Sequence, residues 1–364
     1  MLFRSMHIPP PPAEWISRRQ GRNFVLLHGM VMAPAFWTAF APNITLQGRT
    51  VAYPLPGHHP WSLPEPGAPF TAEHVVEAMA GAIERDFGGE PVHLIGHSTG
   101  GFLSLLLAVN RPDLISSVVL LGGFACGRFE GKERFAARML RVPRVGPYVF
   151  RHFFKRWIST REQFRWGSIE CVYDKSCPWE DERAAEAMET VREHLLRTRP
   201  EDVAACVQFM SNTSILKDLP TVDLPVLNLV GVHDAIVPPS HQLRLSKMLP
   251  RAQTVLFGDC GHLIMVEQKR QMDRVIAGFV EPEASLDSGL RRAGGVVSPA
   301  WLGELEPIFS PLALPQLEQF AADDVGTAQR TKFAFPNGEG HHVEHNSHRH
   351  RHFAADRRAA ELGL

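Results

Sequence analysis

Residues 92–101 read Val-His-Leu-Ile-Gly-His-Ser-Thr-Gly-Gly, and the reading of this stretch decides the fold. A short apolar strand, Val92–Ile95, runs into Gly96-His97-Ser98-Thr99-Gly100, and the almost wholly apolar stretch Phe102–Val109 follows as a buried helix. Strand, Gly-x-Ser-x-Gly and helix in that order make a nucleophile elbow. The turn leaves no room for side chains at its flanks, so Gly96 and Gly100 occupy them. The serine between is held in a strained backbone conformation and its hydroxyl is lifted clear of the sheet edge. Such a serine needs a base to take its proton and N–H groups to hold an oxyanion.

Working outward, short apolar runs recur at Phe24–Leu27, Val51–Tyr53, Val118–Leu121, Val226–Val230 and Thr254–Phe257. Helical spacing lies between them. From Thr71 to about Phe87, Val75, Val76, Met79 and Ile83 share one face, with Thr71 placed as N-cap. Further helices are expected from about Ser240 and over about Glu267–Val280. Strands alternating with helices predict an α/β fold, a mostly parallel sheet covered on both faces. The alternation stops over 124–219, which reads as helical without matching strands. That block is expected to be a cap insertion over the strand ends, where ligands bind in such sheets. The core is then 21–123 and 220–282. Residues 1–20 read as an irregular lead-in. Residues 283–364 read as a C-terminal extension, partly disordered, rich in Pro, Gly, Ala and Ser before a histidine-rich end.

Composition narrows the class. The chain has 364 residues, 44% hydrophobic and 21% charged, as in ordinary globular proteins. A formal net charge of −1 does not point to nucleic acid. Five cysteines (Cys126, Cys171, Cys177, Cys206 and Cys260) are scattered with no CxxC pair and read as reduced thiols of a cytoplasmic protein. The N-terminal stretch breaks into prolines at Pro9 and is expected to be neither signal peptide nor anchor, and no apolar run is long enough to span a bilayer.

The partners for Ser98 follow the later strands. His262 lies in Gly258-Asp259-Cys260-Gly261-His262, where a glycine-loosened loop lets a base reach back to the serine. Asp234 follows the strand Val226–Val230, placed to orient that base. The order is Ser, Asp, His. Two backbone N–H groups are expected to form the oxyanion hole, those of Thr99 and of Met30, which follows His28-Gly29. His97 is expected to pack beside the elbow, and His233 is a poorly placed rival base beside the acid. Cys260 reads as a small buried residue.

Together, His28-Gly29-Met30, Gly96-His97-Ser98-Thr99-Gly100-Gly101, Asp234 with Pro238, and Gly261-His262 with Glu267 resemble the α/β-hydrolase fold superfamily, in its esterase, thioesterase and acyltransferase-like branch. The resemblance covers about residues 20–282. It implies a serine hydrolase cleaving an ester or thioester through an acyl-enzyme, without cofactor or metal. Family members often carry Gly-x-Gly after the second strand; here Pro56-Gly57-His58-His59-Pro60 replaces the second glycine. Two other readings stay open: a biosynthetic acyltransferase or cyclase with a non-water acceptor, and a non-catalytic binding protein on the same fold. Carbon–carbon bond hydrolysis would leave no mark in the sequence.

Two segments bear on partners. From Cys126 to Trp166 there are eleven Lys or Arg against three Glu, interleaved with aromatic residues. Such a segment is either a solvated basic face or a dock for an anionic partner: an acyl carrier protein, coenzyme A or an anionic membrane surface. His341, His342, His345, His348, His350 and His352 form the second segment. It reads as a polar tail with incidental metal affinity, which the serine mechanism does not need.

Overall fold

Apolar runs too short for helices pair edge to edge and carry the chain across one sheet. The computed structural model describes residues 7–129, 132–133, 135–175 and 181–281. Its first elements are β1 (Glu14–Arg18), β2 (Asn23–Leu27), α1 (Trp37–Phe40), β3 (Arg49–Tyr53), α2 (Ala72–Phe87), β4 (Val92–His97), α3 (Thr99–Asn110) and β5 (Ile115–Leu121). A two-residue hairpin follows, β6 (Arg128–Phe129) and β7 (Lys132–Glu133), and then five helices. These are α4 (Phe135–Leu140), α5 (Val145–Trp157), α6 (Arg161–Ile169), α7 (Glu182–Arg197) and α8 (Pro200–Asn212). The chain returns to the sheet through β8 (Val226–Gly231), α9 (Pro239–Met248), β9 (Ala252–Phe257), α10 (Ile264–Glu267) and α11 (Lys269–Val280).

The seven-stranded sheet runs β1-β3-β2-β4-β5-β8-β9, parallel throughout except for the edge strand β1. Alternate residues of each strand serve opposite faces. Val25, Leu27, Val51, Tyr53, Leu94 and Val118 join one core, beneath α2 and α3. Phe24, Leu26, Ala52, Ile95, Val119 and Leu121 join the other. Both sets are buried, and for this reason the strands read as unbroken apolar runs rather than alternating ones.

Thr71 acts as the expected cap at the start of α2. The Thr71 hydroxyl accepts from the His74 amide at 3.4 Å, and His74 Nδ1 accepts in turn from the Thr71 amide at 3.3 Å. Gly88 closes the helix in a left-handed conformation at φ 68°.

Three departures from the sequence reading stand out. Residues 14–18, placed in the irregular lead-in, form β1. The five-residue alternation with charged ends is too short to signal a strand. Tertiary contacts hold it: pairing to β3, Trp15 against Phe87 at 5.9 Å between ring centroids, and the Arg18 guanidinium 4.2 Å over Trp15. Three short helical turns between Pro34 and Gln47 were not expected; Phe36 and Trp37 there are fully buried. The helix expected over about 267–280 is α11, and before it stands a short turn that was not expected, α10 at Ile264–Glu267. Residues 282–364, with the histidine-rich segment, lie outside the described residues.

Candidate active site

The elbow forms where β4 meets α3. Ser98 has φ 52° and ψ −114°, a region that non-glycine residues rarely occupy. A Cβ at Gly96 would overlap the Gly100 carbonyl, and one at Gly100 would overlap the Leu27 carbonyl. The two glycines therefore allow the helix start to pass against two strands. The first bond inside α3 is Phe102 N–H to Ser98 O at 3.1 Å, so Thr99 sits at the helix N-terminus with its N–H outside the helical ladder. That is where partial positive charge collects.

Asp234 and His262 come from loops 28 residues apart and meet. His262 Nδ1 lies 2.7 Å from Asp234 Oδ2, with both side chains buried. A carboxylate only accepts, so Nδ1 carries the proton and Nε2 of the neutral ring carries a lone pair. The acid is itself well anchored. Its Oδ1 accepts from the Ile236 and Val237 amides at 2.8 Å, and its Oδ2 also accepts from Gln242 Nε2 at 2.8 Å.

The serine is tied to this pair through β5. The Ser98 amide donates to Leu121 O at 2.9 Å. The next residue, Gly122 at φ 60°, would place a Cβ 2.9 Å from His262 Nδ1 and 3.3 Å from Asp234 Oδ2. His97, beside Ser98, has its ring centroid 4.6 Å from that of His262, and its Nε2–H donates to His262 O at 3.2 Å. A Cβ at Gly29 would fall 2.7 Å from His97 Nδ1, so Gly29 leaves the space that the imidazole fills. Burial holds His97 well below the usual histidine range, with the nearby His262 adding to the effect. It packs as a neutral ring between the two loops.

The other residues sort clearly. His233, the rival base, lies with its ring stacked on Tyr173 at 4.0 Å and 13°. Cys260 is fully buried, its thiol directed to Gly261 O at 3.7 Å and to Glu267 at 3.6 Å. Glu267 joins the base loop to the helical insertion. One carboxylate oxygen accepts from the Tyr173 and Asp174 amides at 2.8 and 3.0 Å, and the other accepts from the Gly261 amide at 2.7 Å. The His262 amide donates to Cys171 O at 2.8 Å. Residues 171–174 thus act as a strap across the loop that carries His262.

Sequence reasoning missed one feature, a reciprocal histidine brace beneath Met30. Met30 is half-buried, and Val31 after it has φ 53°, an outlier for a β-branched residue. The Val31 amide donates to His58 Nε2 at 3.1 Å, and in return the Leu55 amide donates to His28 Nε2 at 3.2 Å. Each ring therefore carries its proton on Nδ1, facing Pro56 O and Gly29 O respectively. The two loops beside Met30 hold each other through neutral imidazoles. The signal present in the sequence is His58 itself, directly after Gly57 in the turn that follows the second strand.

Burial lowers His58 to about 4 and holds His28 well below the usual range. Unfolded, His58 titrates near 6.5. The stability carried by the neutral ring is fully present above that pH and falls as pH drops toward 4, because the unfolded chain takes up the proton first; near 4 the folded ring protonates and the brace itself is lost. His58 alone accounts for about 3 kcal/mol of acid destabilisation. Urea unfolding from neutral pH down to pH 4 should show this loss, and His58→Gln, which keeps an acceptor but does not titrate, should flatten it. An acid limb of unchanged steepness in H58Q would remove His58 from the account.

The sheet order, the elbow and the later strand-end loops define an α/β hydrolase. The α/β-hydrolase fold model matches residues 22–269, and the chain belongs to that family. Among its relatives, pimeloyl-[acyl-carrier protein] methyl ester esterase of Aeromonas hydrophila is 23% identical over 270 residues, covering 72% of this chain and 96% of the relative. The 2-hydroxy-6-oxo-2,4-heptadienoate hydrolase of Pseudomonas putida is 27% identical over 272 residues, covering 72% and 90%. A solved thermophilic esterase from Thermogutta terrifontis superposes with a TM-score of 0.57 at 22% identity, over 74% of this chain and 93% of that one. At that identity the likeness carries the fold alone.

Proposed function

We propose that this protein is a serine hydrolase that cleaves a carboxylic ester or thioester. His262 Nε2 takes the proton from Ser98 Oγ, which attacks the acyl carbonyl carbon. The N–H groups of Met30 and Thr99 receive the oxyanion. His262 then protonates the leaving alcohol or thiol, and the acyl group remains on Ser98. Water, deprotonated by His262, attacks the acyl-enzyme and releases the acid. Asp234 keeps the proton of His262 on Nδ1 throughout. The observation that carries this reading is the 2.7 Å bond between His262 and Asp234, on loops beside a strained serine.

Residues 124–219 serve as the cap over the strand ends in this reading; the strap at 171–174 against the His262 loop supports that role. The scattered cysteines favour a reducing compartment, and we assign the cytoplasm. No helix among the described residues is long and apolar enough to cross a membrane.

A panel of p-nitrophenyl esters and acyl thioesters of graded chain length tests the reading, alongside labelling by a fluorophosphonate. Turnover with a chain-length optimum and labelling at Ser98 are expected. Product joined to an added alcohol or amine would move the assignment to acyl transfer. Absence of both labelling and turnover would move it to a binding protein on the same fold.

A further inference from the structure

The corner between α4 and α5 is unlike the rest of the described surface. From Phe135 to Thr160 the chain holds no Asp or Glu. It does hold Arg138, Arg141, Arg144, Arg151, Lys155 and Arg156, and all six are exposed. Large apolar side chains are exposed among them: Phe135 at 45%, Val142 at 50%, Val145 at 59% and Tyr148 at 71%. These are four of the eight large hydrophobic residues exposed among the described residues. Arg151 also reaches Glu201 at 3.6 Å and Arg141 reaches the Asn212 side chain at 3.1 Å, both contacts being exposed.

The corner is a built feature. The Val142 amide donates to Met139 O at 3.0 Å and the Gly146 amide donates to Val142 O at 2.8 Å. Gly146 is buried, and a Cβ there would overlap the Met139 carbonyl. On α5, Phe150 and Phe154 point into the core, which turns Tyr148, Arg151 and Lys155 outward. The corner therefore presents Val142 and Val145 at its tip, with cations on both sides.

We propose that this corner is a docking surface for an anionic lipid bilayer. The cations meet phosphate headgroups while Val142, Val145 and Tyr148 enter the boundary between headgroup and acyl chain. Anionic headgroups over an apolar interior match cations set around exposed apolar side chains, and an acidic protein partner is the alternative outcome of the test. The inference rests on the ester-hydrolase reading for its purpose: lipophilic esters partition into membranes, and docking brings the enzyme to the phase that holds them.

Sedimentation of the full chain with vesicles tests it. The chain should pellet with phosphatidylcholine vesicles containing phosphatidylglycerol at least about ten-fold more than with phosphatidylcholine alone. Salt at about 0.5 M should release much of it. Lys155→Glu with Arg156→Glu, and separately Val145→Asp with Tyr148→Ser, should each lower vesicle binding about ten-fold or more while leaving turnover of a soluble short-chain ester unchanged. Equal binding to both vesicles, no binding to either, or variants that bind like the parent would each overturn the proposal. So would binding to an acidic acyl carrier protein without binding to vesicles. Loss of the hydrolase reading would appear separately, as absent turnover of the soluble ester by the parent protein.

Discussion

Ser98→Ala should lower kcat on the order of 10⁶-fold while the protein stays folded. The expected loss is large because the serine hydroxyl is the only group in the proposed mechanism that bonds to the acyl carbon. Stability should move by less than about 1 kcal/mol, since alanine occupies the same turn and loses one hydroxyl. The elbow depends on its neighbours: Gly96 and Gly100, the Ser98 amide bond to Leu121 O, and α3 behind it. Steady-state kinetics on the best ester of the panel, with thermal unfolding beside it, checks both halves. Near-parental turnover by S98A would show that Ser98 is not the nucleophile. Fluorophosphonate labelling should vanish in the same variant.

Asp234→Asn should lower kcat on the order of 10⁴-fold. Both oxygens of Asp234 accept, Oδ1 from two backbone amides and Oδ2 from His262 and Gln242. An asparagine has one oxygen to offer. If it stays with Ile236 and Val237, its NH2 faces His262 Nδ1, and that nitrogen must become the acceptor. The proton then moves to Nε2, where it cannot take one from the serine. If the amide turns the other way, two buried backbone N–H groups lose their partner, which costs about 1–3 kcal/mol each. A pH–rate profile separates these results. Loss through the tautomer lowers the whole profile, and a merely loosened fold shows instead as a lower unfolding midpoint. Retention of more than about a tenth of the parental kcat would count against Asp234 as the orienting acid.

Much of this was legible because it is local. The elbow is spelled by glycines spaced about a serine, since only residues without Cβ fit against Leu27 and the start of α3. The parallel strands are legible because burial on both faces demands unbroken apolar runs. The Thr71 cap was readable for a similar reason, as a single residue suffices to make it. By contrast, β1 was not legible. Its stability comes from β3, Phe87 and the Arg18–Trp15 stack, none of which leaves a trace in Glu14–Arg18 itself.

The candidate site divides along the same line. Its residue types and their order along the chain were present in the sequence, because each follows its own strand. Sequence alone thus determined the fold class, the candidate nucleophile and the candidates for base and acid. Only the tertiary structure decided that His262 meets Asp234 at 2.7 Å, that His28 and His58 brace the loops around Met30, and that Glu267 straps the insertion to the base loop. It also decided that cations and apolar side chains share one exposed corner rather than a scattered basic face. The physical reason is common to all four. Each is a meeting or sorting of side chains set by strand register and helix packing, and such geometry is fixed only when the sheet closes.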